Sequence, residues 1–445
     1  MFKHGSGEGE NRTMDTEQVL HRIEQWIRQE ALFYGPQMLT IEQGLPLPDY
    51  TGPERTPVNK IAALVVQNSH QTRGDFALTV DLGAVESELL FLVIKCIAKS
   101  KDKTVDEVRL KEVLERLEYS LNWQSFPDRS WAFLHQFDCL ERFVTLDGPA
   151  RIRRTTIIED SLFKQYNHSV GGRTVCRFVA ETKQDARVIY FSDDGSINPI
   201  VNNEFVMLVS SLRLASPSSV GINRVSVEVP AGNFGEQSPA VAIPFYSAPE
   251  VFPAAFSRFV NTQCVLDKYE LELFGRLHAG LRKVVETGGK NADRLQRSLR
   301  RFNAAICSGQ IEDIVVDTII GLEILFHTTG FRTSFLASHL AAIGASERKT
   351  VADQLDKSYD LRNRIVHGGS LKEGDSHLAI RLLTIFCRVL RSYIYLATKM
   401  QDIDGYIRRI PYDPDELAKL ENELARWSRA ETSWVWKPSE PPKAL

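Results

Sequence analysis

Residues 358–369 read SYDLRNRIVHGG. Arg362, Asn363 and His367 put a permanent cation, an amide and a titratable ring into one short run that ends in Gly368-Gly369. Glycine directly after a helical run closes the helix, because it takes the left-handed backbone conformation without steric cost. The stretch therefore predicts a helix that stops at His367, with the ring in its last turn or just beyond. On an ideal helix, five residues turn about 500°, which leaves Arg362 and His367 roughly 140° apart. Asn363 and His367, four apart, share a face. Termination at His367 relaxes the angle and lets the long arginine and the ring converge on one spot.

Outward from this run the periodicity is helical. Four long amphipathic stretches are predicted at 266–287, 291–307, 311–328 and 375–400, with the motif on a shorter one at 347–367. An antiparallel bundle over 260–410 is the natural way to bury such stripes. Pro411 and Pro414 then introduce a helix at 415–428 and a tryptophan- and proline-rich end, SWVWKPSEPP, within a terminal segment 411–445.

Upstream the pattern is mixed. Residues 1–14 are polar and glycine-rich and are expected to form a disordered tail rather than a signal peptide. Asp15 or Thr16 caps a predicted helix carrying Val19, Leu20, Ile23, Trp26 and Ile27 on one stripe. Residues 60–66 and 75–81 suggest a strand pair, followed by helices at 86–99 and 105–121. Pro127-Asp128 opens a third expected helix bearing Trp131, Leu134, Phe137, Leu140 and Phe143. From Gly148-Pro149 the character changes. RIRRTTII, RTVCRFVAE, ARVIYFS, EFVMLVSSL and NRVSVEV, separated by turn residues, make 151–245 a mainly β segment. The expected fold class is α+β, with a mixed α/β region at 15–255 followed by an all-α bundle.

Composition limits the function classes. A net charge of −3 gives no overall attraction to nucleic acid, so any RNA contact must be local. Six cysteines without a C-x-x-C pair argue against a zinc site or a disulfide framework and fit a reducing cytosol. The most apolar run, Leu89–Ile94, is too short for a bilayer. The expectation is a soluble, cytoplasmic protein with no membrane contact. The other histidines lack ligand spacing and no glycine-rich phosphate loop occurs, so neither a metal nor another cofactor is expected.

The arrangement Arg362-Asn363-x-x-x-His367 resembles the R-polar-x-x-x-H signature of HEPN domains, helical modules many of which cut RNA. Gly321-Leu322-Glu323 on the preceding apolar helix and Gly368-Gly369 after the histidine make the frame most similar to the ApeA-like HEPN group. The likeness covers about the last two-fifths of the chain. It implies a metal-independent endoribonuclease that attacks through the 2′-hydroxyl and leaves 2′,3′-cyclic phosphate ends. The residue types suit that chemistry. Histidine can act as base or acid near neutrality, and arginine offers a fixed fork of donors to phosphate oxygens. Asn363 would hold the imidazole tautomer or bind a phosphate oxygen.

One histidine must be both acid and base, or a second must be supplied; a homodimer through the C-terminal helices would supply it, and the resemblance implies such a dimer, since HEPN ribonucleases work with a shared site. Glu323 interrupts an apolar run and needs a partner. The resemblance makes Arg362 that partner, with solvent or His327 as the plainer choices. Arg294, Arg297 and Arg301 share a helix face and, with Arg364, form a candidate RNA-tracking patch, although such stripes are usually solvated faces. HEPN toxins controlled by nucleotidyltransferases carry a tyrosine where this chain has Gly369. Control is therefore expected within the chain, with the N-terminal region sensing a phage or cellular trigger in an antiviral defence role. The alternative is a non-catalytic HEPN module that binds RNA or nucleotide, or dimerises. The bland reading of the motif is a surface arginine and a helix-ending histidine that complements the helix dipole.

Overall fold

The computed structural model describes residues 16–38, 56–68, 105–122, parts of 129–159, 178–183, 189–191, 197–199, most of 203–229, 241–246 and nearly all of 264–428, with isolated positions between 85 and 96. The expected tail 1–14, the strand at 75–81 and the end 429–445 lie outside them. The chain divides by its contacts into two units. One comprises 1–129, 155–174 and 226–244; the other comprises 130–154, 175–225 and 245–445.

In the first unit, helices α1 (Thr16–Met38), α2 (Thr56–Asn68) and α3 (Glu107–Asn122) meet. Val19, Ile23, Trp26 and Ile27 are buried, as their spacing predicts. Arg28 ties α1 to α3 with a bond of 2.7 Å to Glu107. Residues 60–66 do not form the expected strand: they belong to α2. Val58, Ala62 and Val65 are buried at helical spacing, so the short apolar run concealed a 3.6-residue period.

The second unit combines sheet and bundle. Strands β1 (Arg129–His135), β2 (Phe137–Cys139), β3 (Phe143–Thr145), β4 (Ala150–Arg154) and β5 (Phe178–Lys183) replace the helix expected after Pro127 and begin the β segment. Phe137 and Cys139 face the core while Asp138 is half-exposed, the two-residue alternation of a strand. β3, β4 and β5 are antiparallel neighbours, and Arg151 stands opposite Glu181 in register. Arg151 and the fully buried Arg153 both pair with that carboxylate, so this basic run is internal wiring.

Strands β6 (Ile189–Phe191) and β7 (Ile197–Pro199) form a hairpin. β8 (Gly221–Val229) and β9 (Val241–Tyr246) are two further strands, and the end of β8 and most of β9 belong to the first unit. β10 (Cys264–Leu266) pairs in parallel with β2.

EFVMLVSSL is not a strand. It lies in helix α4 (Asn203–Ala215), whose residues 207–215 are all buried. A helix covered on every side shows no polar face, so its period is hidden in the sequence. α4 packs on the bundle: α5 (Lys268–Thr287), α6 (Gly289–Cys307), α7 (Ile311–Phe326), α8 (Phe331–Ala341), α9 (Ala345–Val366), α10 (Asp375–Lys399), α11 (Ile403–Arg409), a short 3₁₀ turn (Ile410–Tyr412) and α12 (Pro414–Ser428).

The architecture is thus α+β with a helical C-terminal region. The expected boundary at 255–260 lies outside the described residues. One hydrophobic core runs from Leu134 in β1 through α4 to Leu420 in α12.

Two junctions hold the helices that carry the motif. Gly321 in α7 lies under Phe386 of α10; a Cβ there would stand 2.3 Å from the ring. Five residues further along α10, Arg391 donates from Nε to the Leu214 carbonyl at 2.6 Å and from Nη2 to the Ala215 carbonyl at 3.2 Å. It thereby caps the end of α4, whose last carbonyls have no partner within the helix. Arg213 is likewise buried, donating to the Val220 carbonyl and to Asn303 Oδ1. Among the described residues no single helix is long and apolar enough to cross a membrane.

Candidate functional site

Helix α9 ends as the motif predicts. His367 is its C-terminal cap, and its N–H donates to the Asn363 carbonyl at 3.1 Å. Gly368 takes φ +76°, and the amides of Gly368 and Gly369 return to the carbonyls of Ile365 and Arg364. This is the left-handed closure that only glycine makes cheaply. Gly369 also packs close: a Cβ would meet Arg364 Cγ at 2.6 Å. His367 is exposed at the end of this turn.

Arg364 is not a free RNA contact. Its Nη2 donates to Asp375 Oδ2 at 2.6 Å, and the same oxygen accepts the Lys372 amide at 2.6 Å. The pair closes the loop between α9 and α10 and so fixes the turn that bears His367.

Arg362 is different. Its Nη1 donates to Asn363 Oδ1 at 3.2 Å, and its buried Nε has no acceptor. No carboxylate pairs with it among the described residues. Arg294 pairs with Asp404 at 2.5 Å, Arg301 with Asp317 at 2.7 Å, and Arg348 and Arg388 with Glu421 and Glu347. The expected RNA-tracking row on α6 is therefore mostly neutralised. Of Arg294, Arg297 and Arg301, Arg297 is exposed and carries no such pair.

Glu323 does not pair with Arg362 or with His327. It is half-buried on α7 and accepts the Tyr359 hydroxyl at 3.2 Å. Burial, with the Glu323 charge adding to it, pushes the Tyr359 phenol up, so it stays a neutral donor.

Tyr359, Arg362 and Asn363 stand at i, i+3 and i+4 and share one face of α9. Sequence reasoning missed Tyr359. Its spacing to Arg362 was visible in the chain, but its meeting with Glu323 depends on how α9 packs on α7.

The structure brings together Arg362 with Asn363, and Glu323 with Tyr359, on the helix that ends in the exposed turn of His367. It diverts Arg294, Arg301 and Arg364 into ion pairs. Chemically this is a guanidinium with donors to spare, held by a neighbouring amide, on the helix that ends at an exposed imidazole; no hydrogen bond or ion pair joins Arg362 to His367. Comparison of the chain with family models, with curated proteins and with solved structures finds no match.

Proposed function

We propose that the end of α9 is half of a HEPN-type endoribonuclease site that works without a metal. The observation that carries the reading is Arg362: half-buried and, among the described residues, without a carboxylate partner, while five other arginines of the bundle are ion-paired. A phosphate oxygen would complete it, since guanidinium matches phosphate in both charge and donor geometry.

In this reading Arg362 binds the scissile phosphate and His367 removes the proton of the 2′-hydroxyl. The 2′-oxygen attacks phosphorus and the P–O5′ bond breaks, leaving a 2′,3′-cyclic phosphate. The departing 5′-oxygen takes its proton from the His367 of a second copy, which makes the working unit a homodimer. Asn363 holds the Arg362 guanidinium through the bond at 3.2 Å. Tyr359 and Glu323 brace the face from behind.

The resemblance stated above extends the proposal to a regulated antiviral effector in the cytoplasm, with the N-terminal region sensing the trigger. The test is RNA cleavage by the wild type and by His367→Ala in excess EDTA, with the product ends analysed. Cleavage by the wild type alone, with cyclic phosphate and 5′-hydroxyl ends, is expected. General acid–base groups contribute about a hundredfold to ten-thousandfold, and the variant should lose at least that much. Equal activity in the variant would remove His367 from the mechanism. RNA binding without cleavage would favour the non-catalytic binding module.

A further inference from the structure

The His367 ring is exposed and makes no hydrogen bond among the described residues. Its position therefore comes from the backbone that carries it. On one side that backbone is held by α9, through the amides of His367, Gly368 and Gly369. Beyond Gly369 the next backbone bonds among the described residues are those of Lys372. Its amide donates to Asp375 Oδ2 at 2.6 Å, and its carbonyl accepts the Asp375 amide at 3.2 Å. Leu371, between them, packs against the core.

These links meet at Asp375. It is the first residue of α10, directly after Gly374, and it is buried. Its Oδ2 accepts both the Lys372 amide and Arg364 Nη2, each at 2.6 Å. Arg364 is held in turn from both of its ends. Its carbonyl accepts the Gly369 amide at 2.8 Å, and its guanidinium reaches Asp375. Its stem lies so close to Gly369 that a Cβ there would stand 2.6 Å from Arg364 Cγ. A closed circuit thus runs from Gly369 through Arg364 and Asp375 to Lys372, and it encloses the segment that leaves His367.

The carboxylate is buried and the guanidinium half-buried, and the acid stands in the first turn of α10, where the helix dipole favours it. This is a charge-assisted bond backed by a second donor, unlike an exposed pair that contributes little.

Rigidity at this point has a chemical use. A general base acts only within hydrogen-bond reach of the proton it takes, and misplacement by about 1 Å costs on the order of a hundredfold in rate. A ring with no bond of its own meets that demand only when the turn beneath it is fixed.

We infer that Asp375 is a positioning residue for the reaction proposed at His367: through Arg364 and the Lys372 amide it holds the turn that presents the imidazole. The role in catalysis rests on the ribonuclease reading; the clamp rests on the geometry alone. Arg364 thereby has its task inside the protein rather than on RNA.

The test uses the full chain. Asp375→Asn keeps an oxygen for the Lys372 amide and removes the charge that holds Arg364. Arg364→Met keeps the stem against Gly369 and removes the guanidinium. Each should lower kcat for RNA cleavage about tenfold with KM and salt dependence unchanged. The double variant should lose no more than either alone, because both changes break one link. In the His367→Ala background, Asp375→Asn should take nothing further from the residual rate, since no ring is left to hold. Amide exchange at Gly368 and Gly369 should quicken about tenfold in Asp375→Asn, while the middle of α10 exchanges as before.

An equal loss in the two backgrounds makes Asp375 a residue of the fold alone and overturns the inference. A raised KM with a shallower salt dependence in Arg364→Met makes that arginine an RNA contact and also overturns it. So does unchanged exchange at the two glycines, whatever the activity. Quickened exchange in a protein that cleaves no RNA, or that cleaves equally well as His367→Ala, sinks the ribonuclease reading and the role in catalysis with it, while the clamp stands.

Discussion

The two ends of the helical unit use arginine for opposite purposes. At the junction of α4 with α10, Arg391 and Arg213 are almost wholly buried, and their donors are spent on carbonyls of Leu214, Ala215 and Val220 and on Asn303. At the end of α9, Arg362 is half-buried and its donors reach one amide oxygen 3.2 Å away. The first arrangement needs nothing more. The second keeps a cation partly desolvated without a counter-charge, which costs free energy in the absence of a ligand. An arginine that holds a fold has its nitrogens already occupied, and the ligand role proposed for Arg362 rests on donors that are not. Arg364, two residues from Arg362, belongs with the first kind.

Exchanging one arginine from each end tests the contrast most sharply. Arg391→Met would leave the Leu214 and Ala215 carbonyls buried without donors. It should destabilise the second unit by about 3 kcal/mol, read as a lower denaturation midpoint. Whatever fraction remains folded should keep its specific cleavage activity. Arg362→Met should do the reverse. Its stability should change by less than about 0.5 kcal/mol, while cleavage falls about a hundredfold or more, the usual loss when a charge-stabilising donor is removed. If Arg362→Met instead melts the protein and spares activity, the two ends do not differ in the way proposed.

Gly368→Ala gives a smaller effect at the same end. The residue sits at φ +76°, and a Cβ there costs roughly 1–2 kcal/mol in the left-handed region. A Cβ at Gly368 meets nothing within 4 Å, so the penalty is purely one of backbone conformation. The turn should loosen and carry His367 out of place, with kcat falling more than stability. A variant of unchanged kcat would show that the imidazole need not be held by this turn.

Much of the helical unit was legible in the sequence because its helices have wet and dry faces. α5, α6, α7, α9 and α10 each begin and end within about two residues of where the apolar stripes put them. The stop at Gly368 was equally plain, since one residue type performs that task. α4 was hidden because it has no wet face, and α8 because FRTSFLASHLA is short and only weakly periodic. The site itself was half visible. Arg362, Asn363 and His367 are neighbours in the chain, so spacing alone could gather them. The partner of Glu323 could not be found that way, because Tyr359 reaches it only through the packing of α9 on α7. The fate of Arg294, Arg301 and Arg364 was hidden for the same reason, their carboxylates being supplied by other elements or by the next helix.

The same distinction between satisfied and open side chains applies to histidine, and His339 gives its mildest test. Burial holds His339 below its ordinary pKa and the Arg348 guanidinium works in the same direction, while the hydrogen bond with the Phe335 carbonyl and the Glu421 charge oppose them in part. The unfolded chain, with an imidazole near 6.5, therefore takes up its proton first as the pH falls. Stability linked to His339 is complete above about pH 6.5 and declines as the pH drops through the lower folded value. The ring is half-exposed, so solvent screening keeps the slope shallow. His339→Gln can still donate to the Phe335 carbonyl but does not titrate, and should lose this part of the decline between about pH 7 and pH 5. Denaturant midpoints of the two proteins across that range measure the difference. Parallel curves would mean that His339 does not report burial.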